Sequence, residues 1–185
     1  EAGEVHALVE VANATARVAP PAGTVVERWS EQVKRTPAAP AVIAGRVAWS
    51  FAELDERATR IAVDLRARGF GPEELAGIWL ERSPVLVAAI LGVLKAGGAY
   101  LPLDPANPAE RLTHLVGDSR ARWILGCGPA PAGAPIDRWI DVTAMKATPA
   151  DAAASALRPA GIDPKTLAYV IYTSGSTGPV SYTHL

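Results

Sequence analysis

Leu167-Ala-Tyr-Val-Ile-Tyr-Thr-Ser-Gly-Ser-Thr-Gly178 changes character halfway along, and the rest of the chain is organised around that change. Residues 167–172 are aliphatic and aromatic, which suits a buried strand. The residues that follow, Thr173, Ser174, Gly175, Ser176, Thr177 and Gly178, are all small. Glycine lets a backbone turn through positive φ and bring its N–H groups close to a ligand. The hydroxyls of Thr173, Ser174, Ser176 and Thr177 add donors that rotate toward an anion. A strand running into such a loop reads as a phosphate cradle built from a nest of N–H groups. The plainer alternative is a flexible linker or turn, the commonest use of Ser/Thr/Gly clusters. Two better-known loops do not fit. A Walker-type loop needs Gly-x-x-x-x-Gly-Lys-Ser/Thr, and neither the glycine spacing nor the lysine is present. A Gly-x-Ser-x-Gly elbow around Ser176 fails because Ser174 stands where its first glycine belongs.

The chain that carries this stretch has 185 residues, roughly the size of one domain. It begins at Glu1 and stops soon after Gly178, so a piece of something longer is expected. Apolar residues make up 49%, with 18 basic against 19 acidic, which favours a packed core over disorder. A formal charge of −1 gives no electrostatic reason to expect nucleic acid or an anionic membrane as partner. The longest apolar run, residues 84–94, falls short of the ~20 residues a membrane helix needs. No signal peptide is visible, and a cytoplasmic protein is expected. Cys127 is the single cysteine, so no intrachain disulfide or thiolate cluster can form, and a small packing residue is expected there.

Residues 1–23 read as a linker in which His6 to Glu10 could end a helix before Pro20, Pro21 and Gly23 break the pattern. Thr24 and Glu27 form a capping box, opening a helix that buries Val26, Trp29 and Val33 and stops before Pro37. Residues 41–44 and 46–49 are short apolar runs about Gly45, a hairpin pattern. Ser50 and Glu53 form a second capping box. Leu54, Ala58, Ile61 and Leu65 then recur at helical spacing, with Asp55, Arg57, Arg60, Asp64 and Arg66 toward water and Gly69 closing the helix. Residues 75–80 read as a strand. Ser83 and Pro84 start an apolar helix over 85–95 that ends at Gly97, and its nearly uniform apolarity predicts a sandwiched position. Strands over 99–103, 122–125 and 139–142, a helix over 110–117 and a surface loop over 143–158 complete the pattern. Strands alternating with helices imply an α/β sandwich with a largely parallel sheet, in which residues 167–172 are expected to be central once flanked by neighbours that lie past residue 185.

Three strings, in order, resemble the first three core motifs of the adenylation (AMP-binding) domains of nonribosomal peptide synthetases, within the adenylate-forming superfamily. They are Trp49-Ser-Phe-Ala-Glu-Leu54, Leu94-Lys-Ala-Gly-Gly-Ala-Tyr-Leu-Pro-Leu-Asp104 with Pro105-Ala-Asn-Pro-Ala-Glu-Arg-Leu112 after it, and residues 167–178. The resemblance implies an α/β fold, the N-terminal part of the large adenylate-forming subdomain, over residues 24–178. Residues 1–23 are then a connector after a condensation domain. In the first motif, Glu53 is better explained by helix capping than by catalysis. Lys95 sits at a helix C-terminus, favourable for the dipole, and reads as structural. Asp104 ends a strand, where α/β sheets take ligands, yet Asp-Pro is also an ordinary turn.

The resemblance further implies a longer enzyme that joins ATP and an amino acid into an aminoacyl-adenylate, releasing pyrophosphate, with Mg²⁺. The acyl group then passes to the phosphopantetheine thiol of a carrier protein domain. Thr173, Ser174, Gly175, Ser176, Thr177 and Gly178 would hold the β and γ phosphates, and no residue of the chain is assigned a catalytic or metal-ligating role. The family continues with a variable residue and Pro-Lys-Gly, whereas this chain reads Pro179-Val-Ser-Tyr-Thr-His-Leu185, without the lysine. Residues 179–185 are therefore expected to be an artefactual tail, and the chain alone to be inactive. The alternatives are an acyl-CoA or fatty-acyl-AMP ligase, which shares the third motif, and a non-catalytic scaffold remnant. A Ser-His hydrolase fits worst, with His6 in the linker, His114 on a helix and His184 in the tail.

Overall fold

The computed structural model describes residues 2–11, 14, 23–131, 134, 138–145, 163–173 and 181–184. Helix α1 (Ala2–His6) runs into a π-helical stretch, Ala7–Val11, on which Leu8, Val9 and Val11 are exposed. Helix α2 (Val25–Arg35) opens on the expected capping box. Thr24 N donates to Glu27 Oε2 at 2.7 Å, and Glu27 N donates to Thr24 Oγ1 at 3.2 Å. Val26, Trp29 and Val33 make its inner face, all half-buried. Strands β1 (Pro40–Ala44) and β2 (Val47–Ser50) form the antiparallel hairpin.

Helix α3 (Phe51–Ala67) repeats the capping device with Ser50 and Glu53 and buries Leu54, Ala58, Ile61, Ala62 and Leu65. Gly69 follows it with φ 81°. The polar flank of α3 differs from the sequence expectation. Asp55 is not turned to water: its Oδ1 accepts from Trp29 Nε1 at 2.6 Å and from Lys95 Nζ at 2.7 Å. Arg66 Nε donates to the Ala96 carbonyl at 3.1 Å, satisfying the end of the next helix. A single-helix projection shows which flank is polar, but not that two other helices reach across it.

That next helix is α4 (Pro84–Ala96), with Ser83 Oγ accepting from Leu86 N at 3.3 Å and Gly97 at φ 96° closing it. None of its residues is exposed, as its apolar sequence predicts. It packs tightly on α3 at Gly92, where an added Cβ would stand 2.6 Å from Ile61 Cβ.

Strands β3 (Leu75–Ile78), β4 (Ala99–Pro102), β5 (Trp123–Gly126) and β6 (Trp139–Asp141) form a parallel sheet in the order β4-β3-β5-β6. Both faces are covered. Ala76, Ile78, Leu125 and Ile140 join the core beneath α3 and α4. Leu101, Leu103 and Ile124 join Leu112, Leu115 and Val116 of α5 (Ala109–Ser119). The connection through α4 steps outward from β3 to β4, and the one through α5 returns past β3 to β5. Chain order therefore reverses at β3, the arrangement that leaves a crevice at the C-terminal ends of the strands.

Strand β7 (Val170–Thr173) lies beyond β4 among the described strands, joined to it through the parallel bridge between Tyr100 and Tyr169. Val170 is buried, whereas Ile171 is 42% exposed. Apolar content states a demand for burial and says nothing of strand order, which pairing decides. Residues 181–184 form β8 (Ser181–His184), antiparallel to β7 with Thr173 opposite Ser181. Most of the surface loop expected over 143–158 lies outside the described residues.

Candidate functional site

Because β7 runs parallel to β4, its C-terminal end emerges at the same edge of the sheet as those of β3, β4 and β5. Thr173 is the last residue of β7 and is exposed there. Of the six expected phosphate-binding residues it alone is among the described ones. Ser174, Gly175, Ser176, Thr177 and Gly178 lie outside them. The strand that presents Thr173 is anchored at several points. Leu167 N donates to Glu73 Oε1 at 3.3 Å, and Tyr100 N to the Ala168 carbonyl at 3.1 Å. The rings of Tyr100 and Tyr169 lie 5.7 Å apart, and burial, then Tyr169, pushes the Tyr100 hydroxyl above its ordinary pKa. Tyr172 Oη donates to Asp118 Oδ2 of α5 at 2.5 Å. This last contact leaves no local trace in the sequence, because its partners belong to different elements.

Along the same edge an open cavity of about 520 Å³ is lined by Leu80, Glu81, Arg82, Leu86, Leu103 and Asp104, among others. Asp104 resolves as a turn residue: its Oδ1 accepts from Ala106 N at 2.9 Å and its carbonyl from Asn107 N at 3.0 Å. At the end of β6, Asp141 Oδ1 accepts from the Thr143 hydroxyl at 2.6 Å. That bond leads the causes that hold its carboxyl below the ordinary range. Cys127 follows β5 and is exposed, not a packing residue as expected. The run of buried residues ends with the strand at Gly126, so the next side chain leaves the core. Partial burial, then Asp141, raises the Cys127 thiol.

The other motif residues have structural partners. Glu53 Oε2 accepts from Ser50 N at 2.8 Å, the first of the contacts that lower its pKa. Lys95 Nζ stands 2.7 Å from both Asp55 Oδ1 and Thr59 Oγ1, with its side chain 10% exposed. Its role is structural as expected, through an ion pair between helices in addition to its place in the last turn of α4. His6 and His114 are exposed on separate elements, α1 and α5, and the His184 side chain lies outside the described residues. Among the described residues no group of three His, Cys, Asp or Glu fits a metal ion. Nor is any described helix long and apolar enough to cross a membrane.

Comparison with known proteins agrees with this arrangement. The AMP-binding enzyme family matches residues 29–180. Bacitracin synthase 1 of Bacillus licheniformis is 41% identical over 176 residues, covering 95% of this chain and 3% of the synthase. A crystal structure of the nonribosomal peptide synthetase FmoA3 in its α-methyl-L-serine-AMP bound form superposes with a TM-score of 0.79 at 32% identity. The match covers 97% of this chain and 20% of that one. An AMPPNP-bound form of FmoA3 gives a TM-score of 0.72 at 33% identity, covering 91% and 18%. The chain thus spans only a small part of the length of its relatives.

Proposed function

This chain belongs to the AMP-binding enzyme family, and from that premise we propose that residues 24–178 are the N-terminal part of an amino-acid-adenylating domain of a nonribosomal peptide synthetase. Residues 1–23 would be the linker from a preceding condensation domain, and 179–185 no part of the native domain. The longer enzyme would be cytoplasmic. It would join an amino acid carboxylate to the α-phosphorus of ATP, release pyrophosphate, and load the acyl group onto a carrier domain's phosphopantetheine thiol. FmoA3 with a bound aminoacyl-AMP and with AMPPNP supports ATP and an amino acid as substrates. The observation that carries the reading is Thr173, exposed where the third motif's strand ends, at the ligand-binding edge of a parallel sheet.

Thr173, Ser174, Gly175, Ser176, Thr177 and Gly178 would supply the hydroxyl and N–H donors that hold phosphate charge as it develops. The chain's own contribution to that step would be donor geometry. The deciding assay is exchange of labelled pyrophosphate into ATP by the longer protein. Exchange that depends on an amino acid is the expected result. Exchange dependent on a fatty acid would move the protein to the acyl-CoA or fatty-acyl-AMP ligases, and none at all would leave a non-catalytic scaffold. The 185-residue chain, whose sequence lacks the family's Pro-Lys-Gly, should exchange no more than a protein-free blank.

A further inference from the structure

The end of β7 that carries Thr173 is held from the side by a contact to which the phosphate reading gives no role. Tyr172 Oη donates to Asp118 Oδ2 at 2.5 Å, across 54 positions of sequence. Asp118 is mounted on a firm support, since α5 buries Leu112, Leu115 and Val116 against the sheet. The Tyr172 ring packs against the same cluster, as does Val170. Strand alternation then places Ile171 and Thr173 on the other face, and both are exposed. Fixing the roll of the strand at Tyr172 therefore fixes the direction of Thr173. The bridge from β4, at Tyr169, lies toward the opposite end of the strand, and β8 pairs with β7 along its length, Thr173 opposite Ser181, while the Tyr172 contact is the side-chain tie from this end of β7 to α5. A hydroxyl bonded to a carboxylate is short and directional, which suits it to setting orientation.

The geometry points to Tyr172 and Asp118 as positioning residues that set where Thr173 stands on the sheet edge, and so aim the start of the phosphate-binding segment. This inference rests on the phosphate reading of Thr173. Its test uses the 185-residue chain, the Thr173 amide resonance and inorganic tripolyphosphate as the anion probe. Asp118→Ala removes the acceptor far from Thr173 in sequence, so a shift in the ligand-free amide peak must travel through space. Asp118→Asn keeps an accepting oxygen, and Tyr172→Phe keeps the ring while deleting the donor.

The expected result is a displaced Thr173 peak in Asp118→Ala, a near-wild-type peak in Asp118→Asn, and a double variant Asp118→Ala/Tyr172→Phe no worse than the single ones. Tripolyphosphate should bind about three- to tenfold more weakly to Asp118→Ala and Tyr172→Phe. Asp118→Asn should restore the affinity, which a loss of general stability would not explain. A Thr173 peak unmoved by Asp118→Ala, or additive effects in the double variant, overturns the positioning role. Asp118 is exposed on α5, so its variants decide the matter even if Tyr172→Phe fails to fold. Wild-type affinity in Thr173→Ala instead overturns the phosphate reading, and the ligand-free amide peak still decides the tie.

Discussion

Asp55 shows how much one carboxylate can hold together. It is 27% exposed in its side chain and shared between the Trp29 indole of α2 and the Lys95 ammonium of α4, so it fastens α3 to both neighbours. Lys95→Met would leave a half-buried carboxylate with one donor fewer. That should cost about 1–3 kcal/mol, because a partly desolvated charge that loses its partner is penalised beyond the lost bond. Urea unfolding of the variant measures this, and an unchanged midpoint would reduce the pair to a screened surface contact. Glu53 makes a prediction of a different kind. Its folded pKa lies below the ordinary 4.5, first through the Ser50 backbone N–H and next through the Ser50 hydroxyl. Its contribution is therefore fully present above the unfolded value and is lost as pH falls through the lower, folded one. The stability gap between wild type and Glu53→Gln should be widest near neutrality and close on acidification. A gap that widens in acid would contradict the cap's electrostatics.

At the scale of elements, the pair α3 and α4 is the most extensive packing between elements among the described residues, and Gly92 is what lets the two helices come so close. An added methyl there would meet Ile61 Cβ and Cγ2 at 2.6 Å and the Ala58 carbonyl at 3.0 Å. None of these is the free end of a flexible chain, so Gly92→Ala should cost about 1–3 kcal/mol by overpacking. The gain in helix propensity is about 1 kcal/mol and offsets only part of it, because contacts as short as 2.6 Å to a Cβ put the cost toward the upper end of that range. A variant as stable as wild type in urea would mean that the helices can separate at little cost. Elements of this kind were legible in the sequence, because their rules are local. Thr24 with Glu27 and Ser50 with Glu53 announce helix starts within four residues, and the apolar run after Ser83 announces a buried helix. Asp55, Arg66 and Asp118 were not legible. Each takes its role from a partner on another element, and spacing along one helix carries no record of that partner. Thr173 was legible as a donor after a strand, but its place outside β4 depended on pairing that no local pattern encodes.

For the whole molecule, the order of attachment sets an order of opening. Strands β3, β4 and β5 lie between helices on both faces, with Ile78, Leu101 and Ile124 at or below 1% exposure. Their amides can exchange with solvent only if the core itself opens. The β1–β2 hairpin has Ile43 68% and Val47 46% exposed, and β7 joins the parallel sheet through the bridge at Tyr169 and its side-chain ties, with β8 paired along it. Few buried contacts and solvent-facing backbone bonds are the conditions for local opening. Native-state hydrogen exchange should therefore find amides of Ile78, Leu101 and Ile124 slower than those of Ile43 and Ile171 by on the order of a hundredfold. Rising denaturant should merge the two classes only near global unfolding. Asp118→Ala should speed exchange at Ile171 while leaving Ile124 unchanged, since it frees β7 without touching the buried face of α5. Equal protection across β3 and β7 in the wild-type chain would show that β7 opens only with the central cooperative unit, and that order of opening would fail with it.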